Sequence, residues 1–193
     1  MQNAIKEIQD FIPSCEQEEV DKKIFLEVLQ SDCNCFVREN LLFHFTSSAW
    51  VMNETKTHAL CAFHNIYQEW SWLGGHCDGD ENFLRVIEKE ITEESGIKDF
   101  RLYANGIFSL ETMAVHAHTK NGKYVPGHIH LNVTYAFIAD DKCATRIAEG
   151  ENTDVAWKLF DELIKSQSHG NSETVYQKIA DKIKRIELDK KLA

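Results

Sequence analysis

Three glutamates lie close together near the end of a predicted helix, and their spacing is suited to binding a cation. Glu90, Glu93 and Glu94 stand in the segment KEITEESGI. On a helix, at ~100° per residue, Glu90 and Glu94 lie ~40° apart, and Glu93 lies ~60° from Glu90 on the other side. Carboxylate oxygens suit hard cations such as Mg²⁺ or Mn²⁺, and a bound cation removes the repulsion between them. The pattern therefore fits either a cation site or a solvated acidic helix face.

The loop before this helix favours the cation site. Gly74 and Gly75 follow a predicted strand, and glycine lets the backbone approach a ligand closely with its carbonyls turned toward a metal. Glu81 adds a further carboxylate just before the helix begins.

Together, the loop and the helix resemble the Nudix box. That pattern is a glycine, five residues, Glu, seven residues, Arg-Glu, an aliphatic residue, any residue, Glu-Glu, any residue, a glycine and an aliphatic residue. Between Gly75 and Ile97, eight of the nine defined positions match at the correct spacing. The departure is Lys89, which stands where the box has arginine.

The resemblance implies an α/β fold, a Nudix-like α/β/α sandwich around a mixed β-sheet. It implies metal-dependent hydrolysis of a phosphoanhydride bond in a nucleoside diphosphate linked to another moiety, so the partner would be a small-molecule diphosphate. The implied cofactor is Mg²⁺ or Mn²⁺. Its ligands would be Glu90, Glu94, the Gly74 carbonyl and Glu93, the last either directly or through water.

The resemblance also implies catalytic roles for Glu93, Glu81, Lys89 and Glu151. Glu81 would orient the glutamates through Lys89, although lysine offers a point charge where arginine offers a planar fork. Some related enzymes carry an extra glutamate base in the loop before a tryptophan such as Trp157, and Glu151 is the better match to it. The sequence leaves the identity of the general base open.

Three residues outside the box are candidates for substrate binding. His128 and His130 share one face of a predicted strand, where they could contact substrate phosphate or a metal, or form a solvated polar face. Trp70 could stack on a nucleobase, or it could belong to the core.

Two other functions compete with hydrolysis. A Nudix-like module that senses a nucleotide without turnover is the alternative, but sensors tend to lose the helix glutamates, and all three are present here. Isomerases of isoprenoid diphosphates share the fold and rely on a different metal-ligand set, for which no matching pattern is obvious.

Periodicity predicts the elements that position these residues. A helix is expected over residues 83–95, with Asn82 as its N-cap and Gly96 at its end. Further helices are expected over residues 15–31 and 173–188, with a short one before Pro13. Apolar alternation or continuous apolar runs predict strands over residues 41–53, 59–63, 70–75, 101–110, 128–139 and 155–159. The first of these is expected to be half buried, and Asn121-Gly122 predicts a hairpin turn.

At 193 residues the chain is long enough for one compact domain. We expect residues 1–39 to form a helical appendage, packed on the core or used to form a homodimer, and residues 40–193 to form the Nudix domain. The net charge of −10 argues against non-specific binding to nucleic acid or to membrane surfaces. The absence of a signal or spanning segment predicts a cytoplasmic location, and the six cysteines are expected to be reduced.

Overall fold

The helices predicted at both ends of the chain and in the glutamate segment are present. The structure is a computed structural model that describes residues 1–65, 68–120, 122–168 and 171–192. The helices are α1 (Gln2–Asp10), α2 (Glu16–Gln30), α3 (Phe83–Ser95), α4 (Phe160–Ser166) and α5 (Ser172–Leu192). Only α4 was not predicted. No helix in the described part of the chain is long and apolar enough to cross a membrane.

Ten strands accompany these helices among the described residues. They are β1 (Phe43–Met52), β2 (His58–His64), β3 (Trp70–Ser71), β4 (Leu73–His76), β5 (Phe100–Leu102), β6 (Ser109–Val115), β7 (His118–Lys120), β8 (Lys123–Val125), β9 (His128–Ala139) and β10 (Asn152–Leu159). Eight of them form one sheet in which β10, β2, β1, β9 and β5 are successive neighbours, while β3 pairs with β2, β4 with β1 and β6 with β9. Strands β7 and β8 form a separate pair. The predicted α/β fold around a large mixed sheet is confirmed.

Two strand predictions need correction or qualification. The strand expected over residues 101–110 is interrupted: β5 ends at Leu102, Gly106 takes a positive φ of 78°, and β6 begins at Ser109. Since a positive φ does not fit a regular strand, the chain turns there. Asn121 of the predicted hairpin turn lies outside the described residues, but the flanking strands pair with Lys120 opposite Lys123.

The chain divides into two compact units. The first comprises Met1–Ala49, Gly74–Glu90 and Leu102–Ala136, and the second comprises Trp50–Leu73, Ile91–Arg101 and Phe137–Ala193. Five continuous elements, β1, β4, α3, β5 and β9, contribute residues to both units.

In the first unit, α2 is fastened to β6 by buried polar contacts. Asp21 accepts hydrogen bonds from the backbone N–H and the hydroxyl of Thr112, both at 2.8 Å. Glu18, which is fully buried, accepts one from Ser109 at 2.8 Å. Since a buried carboxylate is costly unless it is hydrogen-bonded, these contacts fix where α2 lies against the strand. The proposed domain boundary at residue 40 stays a prediction.

A buried polar network also joins β1, β6 and β9 within this unit. Asn132 accepts hydrogen bonds from Thr46 at 2.9 Å and Ser48 at 2.8 Å, and it donates to Glu111 at 2.9 Å and Thr134 at 3.0 Å. The prediction that β1 is half buried is therefore wrong, because its polar residues are covered and satisfied by the neighbouring strands. A network of this kind specifies strand register, since a one-residue slip would leave several buried groups unpaired.

The core of the second unit is built on aromatic residues. Trp50 packs edge-on against Phe160 and Tyr176, with ring centroids 5.3 and 5.2 Å away. Tyr176 also packs on Trp72, and the Tyr176 hydroxyl accepts a hydrogen bond from the Trp72 backbone N–H at 3.0 Å. These contacts hold α4 and α5 to the strands of their own unit. Trp72 therefore has a core role.

Candidate functional site

Helix α3 begins at a well-defined cap. The Asn82 side chain accepts a hydrogen bond from the Arg85 backbone N–H at 3.0 Å, as expected for an N-cap. The guanidinium of Arg85 donates two hydrogen bonds to the Asp80 carboxylate, at 2.6 and 2.7 Å. These hydrogen bonds hold the pKa of Asp80 below its usual value. The loop before the helix is thereby fixed to the helix's first turn.

The apolar face of α3 determines which way its glutamates point. Phe83, Ile87 and Ile91 are completely buried. At the other end Gly96 takes a positive φ of 79° and ends the helix, as predicted. Glu90 and Glu94 are half buried, whereas Glu93 is exposed. The last two turns therefore carry two half-buried carboxylates, beside the buried stripe, and one exposed carboxylate.

Gly75 lies directly against the Glu90 carboxylate. A Cβ atom placed on Gly75 would lie only 2.5 Å from Glu90 Cδ and 2.7 and 2.8 Å from its two oxygens. A Cβ on Gly74 would lie 2.7 Å from Ser48 Oγ and 2.8 Å from the Ser47 carbonyl oxygen. The two glycines thus allow the backbone of β4 to approach β1 on one side and a box glutamate on the other.

The two residues predicted to orient the glutamates are close to solvent. Glu81 precedes α3 and forms an ion pair with the α-amino group of Met1, with the two groups 50% and 42% exposed. Lys89 is exposed on the helix. Orientation of the cluster by Glu81 through Lys89 stays a prediction.

Glu151 belongs to a loop that is anchored to the C-terminal end of α3. Its neighbour Asn152, which is buried, donates a side-chain hydrogen bond to the Glu94 carbonyl oxygen at 3.1 Å. The Arg146 backbone N–H donates to the Ser95 carbonyl oxygen at 2.8 Å. Glu151 itself is exposed. Within the second unit, the candidate base therefore lies on a loop held against the helix end that carries Glu94.

His128 and His130 are brought together with two histidines that the sequence did not single out. His44 on β1 and His76 on β4 complete a group of four imidazoles whose ligand nitrogens all lie within 4.8 Å of one another. The rings of this group pack on one another at centroid distances of 4.8 to 5.0 Å, and His128 and His130 are half buried, so contact of these two histidines with substrate stays a prediction. Burial and the adjacent imidazoles lower the pKa of His130 to about 2.

Nothing in the local sequence pattern links these four histidines. They come from three strands that are far apart in the chain, and only the i, i+2 pair in β9 has a spacing that sequence reasoning could use. The loop after His76 is held by Arg38, which donates two hydrogen bonds to Asp78 at 2.5 and 2.7 Å.

Trp70 is packed by its own unit. The ammonium of Lys158 lies 3.8 Å from the ring centroid, and Phe63 contacts the ring edge-on at 5.4 Å. Gln167 donates a hydrogen bond to the Trp70 carbonyl oxygen at 2.8 Å. A cation–π contact therefore covers one ring face. Nucleobase stacking by Trp70 stays a prediction.

Comparison with solved structures identifies the fold. The chain is similar to an Ap4A hydrolase of C. elegans solved as a binary complex, with a TM-score of 0.55 and 13% identity over 75% of this chain and 98% of that one. It is similar to a putative Nudix hydrolase of Listeria monocytogenes, with a TM-score of 0.55 and 12% identity over 73% and 94% of the two chains. It is also similar to the Nudix domain of Shewanella oneidensis NrtR complexed with ADP ribose, with a TM-score of 0.50 and 13% identity over 81% and 96%.

Sequence comparison matches the chain to no protein-family model and to no curated protein. The structural likeness nevertheless extends over nearly the full length of the Nudix proteins. The chain has the Nudix fold, and the resemblance first drawn from Gly75 to Ile97 is confirmed at the level of the fold.

Proposed function

We propose that this protein is a metal-dependent hydrolase that cuts a phosphoanhydride bond in a nucleoside diphosphate linked to another moiety. The observation that carries the proposal is the contact between Gly75 and the Glu90 carboxylate. It joins Gly75, the first glycine of the box, to Glu90, the first of the box glutamates within the helix, which are fifteen positions apart in the sequence. A solvated acidic helix face would need no such contact.

The chemistry of the box residues suits a hard divalent cation. Glu90, Glu93 and Glu94 would supply carboxylate oxygens from the last turns of α3, and the Gly74 carbonyl would supply a further oxygen from β4. When bound, Mg²⁺ or Mn²⁺ neutralises charge on a diphosphate and lowers the pKa of a coordinated water. The space that a Cβ would occupy at Gly75 is filled by the carboxylate that would hold the cation.

The chain's own groups then have separate tasks. Glu90 and Glu94 hold the cation, and the buried stripe of α3 fixes the helix that presents them. Glu93 and Glu151 are both exposed carboxylates and are the two candidates for accepting a proton from the attacking water. Lys89 places a positive charge beside the glutamates and limits their mutual repulsion.

The substrate class follows from the fold neighbours by analogy. One is called an Ap4A hydrolase and another is complexed with ADP ribose, and both compounds contain a phosphoanhydride bond. Turnover should therefore be screened by phosphate release, with a phosphatase to reveal phosphomonoester products, on four substrate groups. These are dinucleoside polyphosphates, ADP-ribose, oxidised nucleoside triphosphates, and nucleotide-sugars or nucleotide-alcohols.

Metal dependence is the first expected result of this screen. Activity should disappear when a chelator removes divalent cations and return with Mg²⁺ or Mn²⁺, because the carboxylates alone cannot neutralise a diphosphate. Undiminished turnover in metal-free buffer would rule the proposal out. A protein that binds one of these compounds in calorimetry but turns over none would instead be the nucleotide-sensing module.

The departure from the box at Lys89 gives a second test. We expect Lys89→Arg to keep or raise turnover, since the planar guanidinium can hold two carboxylates in fixed geometry, and Lys89→Ala to lower it. The measurement is kcat and KM on the best substrate of the screen. Because Lys89 is exposed, thermal stability should be nearly the same in all three proteins. An alanine variant as active as the parent would show that the position has no orienting role.

A further inference from the structure

Four imidazoles converge on one point in the first unit of the fold. They belong to His44, His76, His128 and His130, and they come from β1, β4 and β9. We propose that they form a transition-metal site, of the kind that binds Zn²⁺, separate from the glutamates of α3. The inference stands independently of the proposed hydrolase activity, because it rests on the geometry of these four side chains.

Hydrogen bonds at the Nδ1 atoms of two rings determine which nitrogen is available to a metal. His44 Nδ1 lies 3.0 Å from the Asn40 carbonyl oxygen, and His128 Nδ1 lies 2.8 Å from the Pro126 carbonyl oxygen. A carbonyl oxygen can only accept, so each Nδ1 carries the hydrogen and each Nε2 presents its lone pair. Backbone carbonyls hold metal-binding histidines in this same way.

The Nε2 atom of His44 has no hydrogen-bond partner among the described residues. His44 is only 4% exposed, and this nitrogen is buried with it. A buried polar atom without a partner is costly, and such atoms are rare in native proteins. A cation among the imidazoles would satisfy this lone pair together with those of its neighbours.

The spacing of the nitrogens also fits a metal. His128 Nε2 and His130 Nε2 are 3.1 Å apart, and the four ligand atoms lie within 4.8 Å of one another. Tetrahedral Zn²⁺ with bonds of about 2.0–2.1 Å places its ligands about 3.3–3.4 Å apart. Shifts of about 1 Å or less, within the reach of small χ rotations, would complete the shell.

The donor set determines the class of ion. Four imidazole nitrogens suit Zn²⁺, Cu²⁺ or Ni²⁺, whereas Mg²⁺ prefers oxygen. Arg38 and Asp78 act electrostatically on His44, and they are paired with each other at 2.5 and 2.7 Å. Four protein ligands leave no open position, as in structural zinc sites. The ion would tie β4, the strand that carries Gly74 and Gly75, to β1 and β9.

The parent protein provides the primary test. After removal of metals it should bind one Zn²⁺ per chain, and X-ray absorption should show four nitrogen ligands at about 2.0–2.1 Å. Co²⁺ in the same site should give the intense visible bands of tetrahedral coordination. Zn²⁺ at a hundred times its Kd should raise Tm by about 5–10 °C. A parent protein that binds no Zn²⁺, or binds it through oxygen ligands, overturns the proposal.

Variants then assign the ligands. His128→Ala and His130→Gln should each weaken Zn²⁺ affinity at least about a hundredfold, since each removes one of four ligands. His116→Ala is the control, because His116 is an exposed histidine outside the group. Glu90→Gln should leave Zn²⁺ binding unchanged, which separates this site from the glutamates. If His116→Ala abolishes binding, or if the two ligand variants bind like the parent, Zn²⁺ is held by surface histidines and the proposal fails.

Discussion

Replacing Glu90 or Glu94 with glutamine should lower turnover at least about a hundredfold without disturbing the fold. The change keeps the size of the side chain and removes one of the charges that would hold a divalent cation. A hundredfold loss corresponds to ~2.7 kcal/mol of transition-state stabilisation. We expect the affinity for Mg²⁺ to fall together with the rate. Both residues are only half buried, so their packing should change little.

Stability measurements separate this interpretation from a solvated acidic face. Without metal, each substitution relieves a repulsion worth a few tenths of a kcal/mol, so Tm should hold or rise slightly. With Mg²⁺, the parent should gain stability and the variants should gain less. Glu88→Gln is the matched control, since it makes the same change at an exposed position two residues before Glu90 on the same helix. Its kinetics should match those of the parent. If Glu90→Gln and Glu94→Gln also melt, bind metal and turn over like the parent, the glutamates form only a solvated acidic helix face and hold no catalytic cation.

The sequence predicted α3 and its glutamates well because the information there is local. A helix needs an N-cap, an apolar stripe and a stop, and Asn82, Ile87 and Gly96 supply these within one short segment. The angular placement of Glu90, Glu93 and Glu94 then follows from helix geometry. For the same reason β9 was predicted with its observed bounds, since its polar and apolar residues alternate over the first eight positions and an apolar run follows.

The histidine group could not be predicted because its information is not local. His44 and His76 become neighbours of His130 only when β1, β4 and β9 have paired in their observed register. The burial of Thr46 and Ser48 depends on Asn132 in the same way. Polar residues in a strand indicate an exposed face unless partners from other strands are known, and such partners are set by the tertiary fold.

The second large effect is expected when either glycine before α3, Gly74 or Gly75, is replaced with alanine. The two substitutions should differ in whether they lower activity or stability. Neither glycine is among those of positive φ in the described chain, so alanine is compatible with the backbone at both positions. At Gly75 the three atoms nearest to the new Cβ all belong to the end of the flexible Glu90 side chain. At Gly74 it would meet the Ser47 carbonyl oxygen and the Ser48 Cα, at 2.8 and 3.0 Å. A side chain can rotate away, whereas a strand of the sheet cannot.

Gly75→Ala should therefore act mainly on catalysis and Gly74→Ala mainly on folding. Displacing the Glu90 carboxylate by about 1 Å should cost on the order of a hundredfold in kcat, with little change in Tm. Forcing a methyl group against β1 should cost about 1–3 kcal/mol of unfolding free energy, as other overpacked sites do. Denaturant unfolding and steady-state kinetics on both variants, with the parent alongside, would measure the contrast. If Gly75→Ala retained full activity, the contact with Glu90 would have no catalytic meaning, because Glu90 must move to admit the methyl group.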